Sequence, residues 1–535
     1  MPFAGEVPTT LLSPAAGPGA TRSSWGRVAA RRAAVVAAAL AGLLAAPAHA
    51  LAAEAIVQFP SGAPAAQQHA AVAAAGARVT RDLHVIGGLG VEGSARALER
   101  LAADPRVAQV TPDAAVRTSG SGVPAQDLVD SYPASVYAPA VWATGLTGRG
   151  VGVAVIDTGV AGDLPDFRVS DADTTSRVVA SVVTNPDATT ADDTYGHGTH
   201  VAGILAGDGT NRPSTDPLDG RHIGIAPDAH LVSIKASDDD GAASVLDVIY
   251  GVQFAVDHAS EYGIRVINLS LESSAVGSYT TDPLDAAVES AWMKGLVVVA
   301  AAGNRGATEG AVDHAPGNDP YVITVGGADD QGTKGTGDDD AAVWGSIGVT
   351  QDGVTKPEII APGAHITSTL APGSAFAQLC PTCVRDGGAY FQAGGTSMAA
   401  PVVSGIAALL LQKHPDWTPD QVKGALVATA RPLAGDHSDL REVVADDALA
   451  ATATANAGLV PNAVVDAATG EIDFARASWS RASWSTAADA LRASWSRASW
   501  SCACDPAAGT AVDPTRASWS RASWSRASWS TSWKK

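Results

Sequence analysis

From Val151 onward the chain carries continuous apolar runs at 151–156, 231–235, 266–269, 297–301 and 322–325. Runs of this length and uniformity are the pattern of strands buried on both faces. Amphipathic, helix-period segments lie between and after them, at 245–258, 285–294, 397–413 and 419–430. Strands alternating with helices predict an α/β domain in three layers, with a mostly parallel central sheet and its site at the carboxyl ends of the strands. This domain is expected to span residues 131–440.

The N-terminal part has a different rhythm. Strand-like stretches at 55–59, 78–86, 89–92 and 107–111 enclose helical stretches at 65–75 and 94–103. This predicts a small α+β unit of β-α-β-β-α-β type over residues 51–116. A Ser/Gly/Thr-rich stretch follows, so residues 117–130 are read as a linker open to nicking. Ahead of the unit, Arg22, Arg27, Arg31 and Arg32 precede an uncharged run over 33–46, and Ala48-His49-Ala50 offers small residues for cleavage. Residues 1–50 are therefore expected to be a secretory signal, because the run falls short of the roughly 20 residues that span a bilayer. Residues 441–475, without clear periodicity, are read as a linker. In the tail, residues 476–535, Arg-Ala-Ser-Trp-Ser occurs seven times, starting at Arg476, Arg481, Arg492, Arg497, Arg516, Arg521 and Arg526. A period of five fits neither helix nor strand, so the tail is a biased segment, not a packed domain.

Charge narrows the function. The 35 basic against 55 acidic residues give a net charge of −20, which argues against general nucleic-acid binding. The tail inverts this locally, since its nine Lys and Arg against three Asp give +6. Planar Trp and Arg side chains suit contact with a glycan or cell-envelope polymer, or a return onto the acidic body. Export would put Cys380, Cys383, Cys502 and Cys504 in an oxidising compartment, where disulfides are favoured and three pairings are open. A zinc site would need two distant segments to converge.

Three short motifs carry chemistry. Val-Ala-Val-Ile-Asp157-Thr-Gly ends a buried strand in a carboxylate, Gly196-His197-Gly-Thr-His200 sets a histidine between glycines at a helix start, and Gly394-Gly-Thr-Ser397-Met-Ala-Ala-Pro401 puts a serine at the head of a long apolar helix. Asp, His and Ser in that order is one chain order in which a nucleophilic serine is built. With Ile267–Leu271 (INLSL), Ala301–Asn304 (AAGN) and Ala361–Gly363 (APG), six motifs in order make the chain resemble the subtilisin-like serine proteases. Residues 51–116 resemble that family's inhibitory propeptide.

The resemblance implies a secreted endopeptidase that acts on proteins or peptides, needs no cofactor for its chemistry, and is made as a self-processing precursor inhibited by its own propeptide. Ser397 would be the nucleophile, His197 the general base and then acid, and Asp157 the group that orients the imidazole. Asn304 would donate to the oxyanion. Substrate would lie extended between residues 237–244 and 270–272. The primary pocket would be walled by Ser270, Leu271 and Glu272 on one side and Ala301, Ala302 and Gly303 on the other. Glycine is common in the family where Glu272 stands, so a carboxylate there, with Asp238, Asp239 and Asp240 nearby, suggests a mild preference for Lys or Arg. His200 is expected to be structural. Calcium is common in the family, and Asp163, Asp166, Asp171 and Asp173 form an oxygen-rich cluster without a defined ligand spacing. The long stretch between Thr369 and Gly394, with Cys380 and Cys383, is read as a surface bulge that does not touch the triad. The competing reading is a binding scaffold that retains the fold alone, which would have no need of all four groups.

Overall fold

A computed structural model describes residues 53–60, 62–118, 130–433 and 439–471. The expected signal segment and the repeat tail, with Cys502 and Cys504, lie outside the described residues. The N-terminal unit comprises β1 (Ala53–Gln58), α1 (Ala65–Ala75), β2 (Arg78–Leu83), β3 (Gly88–Gly93), α2 (Ala95–Ala103) and β4 (Gln109–Pro112). Its four strands form an antiparallel sheet in the order β2-β3-β1-β4. Alternation along β1 and β3 sends Val57, Leu89 and Val91 into a core with Phe59, Val72 and Leu101. The strand expected over 78–86 stops at Leu83 and turns through a 3₁₀ segment, His84–Ile86.

The larger unit is built on seven parallel strands, β6 (Gly152–Asp157), β7 (Val178–Val183), β8 (His230–Lys235), β10 (Ile264–Leu269), β12 (Val297–Ala301), β13 (Ile323–Asp329) and β14 (Ile359–Pro362). Their order is β14-β13-β12-β10-β6-β8-β7. The chain reverses direction across the sheet at β6 and β10, the topological switch where ligands of open α/β sheets bind. The continuous apolar runs are fully buried, as expected of strands covered on both sides. Edge strand β7 instead alternates, exposing Val179 and Val183.

The flanking helices include α3 (His197–Ala206), α4 (Val245–Asp257), α5 (Pro283–Met293), α7 (Thr396–Lys413) and α8 (Pro419–Thr429). Helix α5 begins before the expected Asp285, because Asp282 caps it through the Leu284 and Asp285 amides and Pro283 fills its first position. Helix α8 opens on a capping box between Thr418 and Gln421. Helix α7 is buried almost end to end against the sheet. It is also long and apolar enough to cross a membrane, and its burial explains that composition.

Residues 441–471 are not the linker read from sequence. Arg441–Glu442 adds a short parallel strand beside β14, and Val443, Ala445, Ala448, Val464 and Val465 are buried. The Asn462 amide donates to Glu289 Oε2 at 2.7 Å, and Ser290 Oγ donates to the Gly470 carbonyl at 2.7 Å. The segment thus supplies partners to buried polar groups on α5.

The two units meet along α4. Arg81 of β2 pairs with Asp247 at 2.5 Å, Gln253 donates to the Asp82 carbonyl, and the Val85 amide donates to Gln253. A Cβ on Gly90 would come within 3.0 Å of Leu246, so the sheet lies close on the helix. Beyond β4, strand β5 (Ala115–Thr118) leaves the small unit and enters the larger one. It pairs antiparallel with β9 (Ala243–Ser244) on one side and β11 (Leu271–Ser273) on the other.

Candidate active site

Asp157 ends β6 and His197 begins α3, and the two meet. His197 Nδ1 lies 2.7 Å from Asp157 Oδ1, both side chains being buried. The approach depends on the residues around it. A Cβ on Gly198 would lie 2.2 Å from the Gly159 carbonyl, so only glycine lets α3 come this close to the end of β6. Asp193 caps the helix by accepting from the Gly196 and Thr199 amides at 2.7 and 2.8 Å. Thr158 Oγ1 donates to Asp193 and accepts from the Gly198 amide, which ties the residue after Asp157 to the helix carrying His197. Burial raises the Asp193 carboxyl above its ordinary range, against the hydrogen bonds that favour its charged form.

Ser397 lies in the first turn of α7. Four residues on, Pro401 has no N–H to give the Ser397 carbonyl, and Ser270 Oγ donates to it instead at 2.8 Å. Ser397 Oγ in turn donates to the Ser270 carbonyl at 3.0 Å. This reciprocal pair joins the head of α7 to the segment between β10 and β11. His197 Nε2 makes no hydrogen bond among the described residues. His197 Nε2 and Ser397 Oγ therefore make no hydrogen bond to each other.

Asn304 follows β12 after Gly303, whose φ of 100° favours glycine. Asn304 Oδ1 accepts from the Thr396 amide at 2.9 Å, and the Gly303 amide donates to Thr396 Oγ1 at 3.2 Å. With its oxygen so held, Asn304 turns its Nδ2 to the opposite side, where that atom has no acceptor among the described residues. A buried donor beside a helix N-terminus suits negative charge developing on an oxygen.

Leu271 and Glu272 lie on β11, while Ala301 ends β12 and Ala302 and Gly303 follow it. Glu272 is charge-compensated, because its Oε1 lies 2.9 Å from Arg305 Nη2. A Cβ on Gly303 would sit 2.3 Å from Glu272 Oε2, so this carboxylate lies directly against Gly303. Sequence reasoning missed Arg305, since nothing in the order of residues pairs position 305 with 272. The neighbouring acids are also engaged. Asp238 accepts the Asp240 and Ala242 amides of its own turn, and Asp239 binds Lys235 and Thr189. A preference for basic side chains therefore loses its main support.

His200 is structural, as expected. It is buried, its Nε2 donates to the Phe391 carbonyl at 2.9 Å, and burial holds its pKa down at about 3. The acidic cluster does not form one cation site. Asp166 is buried between the Arg212 guanidinium at 2.6 Å and the Tyr390 hydroxyl, while Asp163, Asp171 and Asp173 are exposed. Among the described residues no group of three or more His, Cys, Asp or Glu is placed to hold a metal. Cys380 and Cys383 are bonded to each other. The loop that carries them is not a bulge remote from His197: its Phe376 is buried with the ring 6.2 Å from that of His197.

The profile of the Subtilase family (Peptidase S8) matches residues 148–496. Serine protease AprX of Bacillus subtilis (strain 168) is 38% identical over 306 residues, covering 56% of this chain and 66% of its own length. Subtilisin NAT of Bacillus subtilis subsp. natto is 32% identical over 382 residues, covering 70% of this chain and 84% of its own. The crystal structure of fervidolysin from Fervidobacterium pennivorans, a keratinolytic enzyme related to subtilisin, superposes with a TM-score of 0.58 at 25% identity. That match covers 76% of this chain and 62% of the fervidolysin chain.

Proposed function

The chain belongs to the subtilase family, and on that premise we propose that it is a secreted serine endopeptidase made as a self-processing precursor. The observation that carries the reading is the placement of β5. The chain's own segment lies as the middle strand between β9 and β11, the edges expected to bind substrate, with Arg117 opposite Glu272 and Thr118 opposite Leu271. Main-chain pairing of this kind gives affinity with little dependence on sequence.

In the reaction, Ser397 Oγ attacks the scissile carbonyl as His197 takes its proton, and Asp157 stabilises the imidazolium that forms. Asn304 Nδ2 and the Ser397 amide bind the oxyanion. His197 then protonates the leaving amine, and water, deprotonated by the same imidazole, releases the acyl group. The register supports a maturation site. The pair of Thr118 with Leu271 stops one residue short of Ser270, whose carbonyl accepts from Ser397 Oγ. Cleavage is expected at or next to the Ser119–Gly120 bond. The Cys380–Cys383 disulfide supports export, since such bonds persist in oxidising compartments. The Trp/Arg repeats would hold the enzyme against an envelope or glycan surface. The test is intact mass and N-terminal sequencing of purified precursor incubated with casein and a serine-directed phosphonate. One adduct, casein loss and a new N-terminus near Gly120 are expected. An intact, unlabelled and inert chain would overturn the reading.

The cleaved propeptide should hold more tightly at lower pH. Asp113, just before β5, accepts from the Leu246 amide at 2.8 Å at the head of α4. Burial, with Asp247 and Glu54 nearby, raises its pKa from 3.8 to about 7 despite that hydrogen bond. Between those two values the complex binds more protons than its separated parts, so rising pH weakens it, by up to about tenfold per pH unit, and the effect levels off above pH 7. Size-exclusion chromatography of self-cleaved protein should show the fragment retained at pH 5 and released at pH 8. Asp113→Asn should flatten that dependence.

Arg305 sets a second expectation. Arg305→Ala removes the ion pair that offsets the Glu272 charge beside the pocket. The ratio of kcat/KM for Lys or Arg over Leu at the residue before the scissile bond should rise about fivefold, the scale of a half-exposed ion pair. A peptide-library profile unchanged from wild type would refute this.

A further inference from the structure

The loop between β15 (Ile366–Thr369) and β16 (Tyr390–Ala393) contains the short helix α6 (Ala375–Leu379) and the Cys380–Cys383 disulfide. Its backbone is tied to the chain entering His197. The Ala375 amide donates to the Thr194 carbonyl at 3.0 Å and the Phe376 amide to the Tyr195 carbonyl at 3.1 Å. Phe376 is fully buried, and its ring stands edge-on to His197, at 71° and 6.2 Å between centroids. The same ring touches Tyr195 at 5.8 Å and Phe391 at 4.9 Å. Gly196 has no room for a side chain, because a Cβ there would lie 2.9 Å from the Phe376 ring.

What holds Phe376 is less secure than the contacts it makes. Helix α6 has five residues, and Ser374 at its head makes no side-chain cap. A helix this short does not persist through its own hydrogen bonds. Its far end is closed by the disulfide. The Cys380 amide donates to the Phe376 carbonyl at 3.1 Å, the Cys383 amide to the Cys380 carbonyl at 3.0 Å, and both cysteines are buried with Leu370, Phe376 and Phe391. Asp157 restrains His197 at Nδ1 alone, which leaves the imidazole free to tilt about that contact unless something occupies the space beside it. Phe376 occupies that space.

We propose that Phe376, held in place by the Cys380–Cys383 disulfide, is a positioning residue for His197, and that reduction of this disulfide lowers turnover. The inference rests on His197 acting as the general base. Reduction by dithiothreitol converts the disulfide to two thiols as the reagent closes to its own cyclic disulfide, so electrons and protons balance. A tilted imidazole meets Ser397 poorly while the substrate-binding edges β9 and β11 stay as they are, so the loss falls on kcat.

The experiment uses mature enzyme with its tail intact and a peptide substrate, comparing wild type, Phe376→Ala, Phe376→Leu and the double variant Cys380→Ser/Cys383→Ser, each with and without dithiothreitol. Phe376→Ala should lower kcat on the order of 10- to 100-fold with KM within about twofold, the scale on which a misplaced catalytic group is felt. Phe376→Leu, which refills most of the space, should recover part of the loss, and it serves as the test variant should the alanine variant fail to fold. Wild type should lose turnover in reductant and regain it on reoxidation, while the double variant is already low and insensitive. Unchanged kcat in both Phe376 variants, a rise in KM alone, or a double variant as reductant-sensitive as wild type would each overturn the proposal, the last by assigning the effect to Cys502 and Cys504. Wild type that neither turns over nor takes the phosphonate would instead sink the peptidase reading on which it rests.

Discussion

Ser397→Ala leaves the precursor at full length, with residues 51–119 still attached, casein intact and no phosphonate adduct. The substitution removes one oxygen from a residue that is fully buried and whose main-chain contact to Ser270 is kept, so the fold is expected to survive. Chemistry should not. The triad members act as a unit, and subtilisin itself loses on the order of 10⁶-fold in kcat when its nucleophile is removed. The variant should also retain β5 between β9 and β11, which makes it the form in which the uncut segment can be trapped. Maturation in trans provides the internal check: traces of wild-type enzyme should cut the variant near residue 119. A Ser397→Ala chain that matures by itself would show that the nucleophile is elsewhere.

Asn304→Ala lowers kcat by about 10²- to 10³-fold, or about 3–4 kcal/mol of transition-state stabilisation, a magnitude known from the corresponding donor of subtilisin, with KM nearly unchanged. The split follows from geometry. Asn304 Oδ1 is held by the Thr396 amide, so its Nδ2 is oriented before substrate arrives, and the donor serves an oxygen that carries full charge only in the transition state. Losing the side chain also leaves the Thr396 amide without its acceptor. Thermal unfolding of the same variant separates the two effects, because an unpaired amide lowers stability whereas a lost oxyanion donor does not. Equal losses in kcat/KM and kcat, with a modest fall in melting temperature from the lost Thr396 contact, are the expected pattern. An increase in KM at unchanged kcat would give Asn304 a role in binding substrate.

Elements whose burial is uniform could be read from the chain. The apolar runs that became β6, β8, β10 and β12 lie within one or two residues of their observed limits, the run at 322–325 stops four residues short of the end of β13, and Ala65–Ala75 is a helix over the expected span. Elements that depend on partners were not legible. Edge strand β7 is apolar but alternately exposed, so its sequence does not show its setting, and β14 is only four residues long. Residues 441–471 have no periodicity because their polar groups answer those of α5 rather than a repeat of their own. The site shows the same division. Asp157, His197, Asn304 and Ser397 stand in motifs because each needs particular neighbours, Gly198 beside Asp157, Gly303 before Asn304 and Pro401 after Ser397. Arg305 against Glu272, and Phe376 against His197, come together only through space.

The packing of residues 441–471 has a bearing on when activity can arise during synthesis. Glu289 and Ser290 on α5 find their partners at Asn462 and Gly470, some 170 to 180 residues further along the chain. The helix that leads out of β11 and into β12 is thus incompletely satisfied until almost the whole of the larger unit has left the ribosome. A nascent chain that already contains Asp157, His197 and Ser397 would still lack this closing contact, so under the proposed function self-cleavage is expected only at the end of translation, which gives the small N-terminal unit that interval in which to fold first.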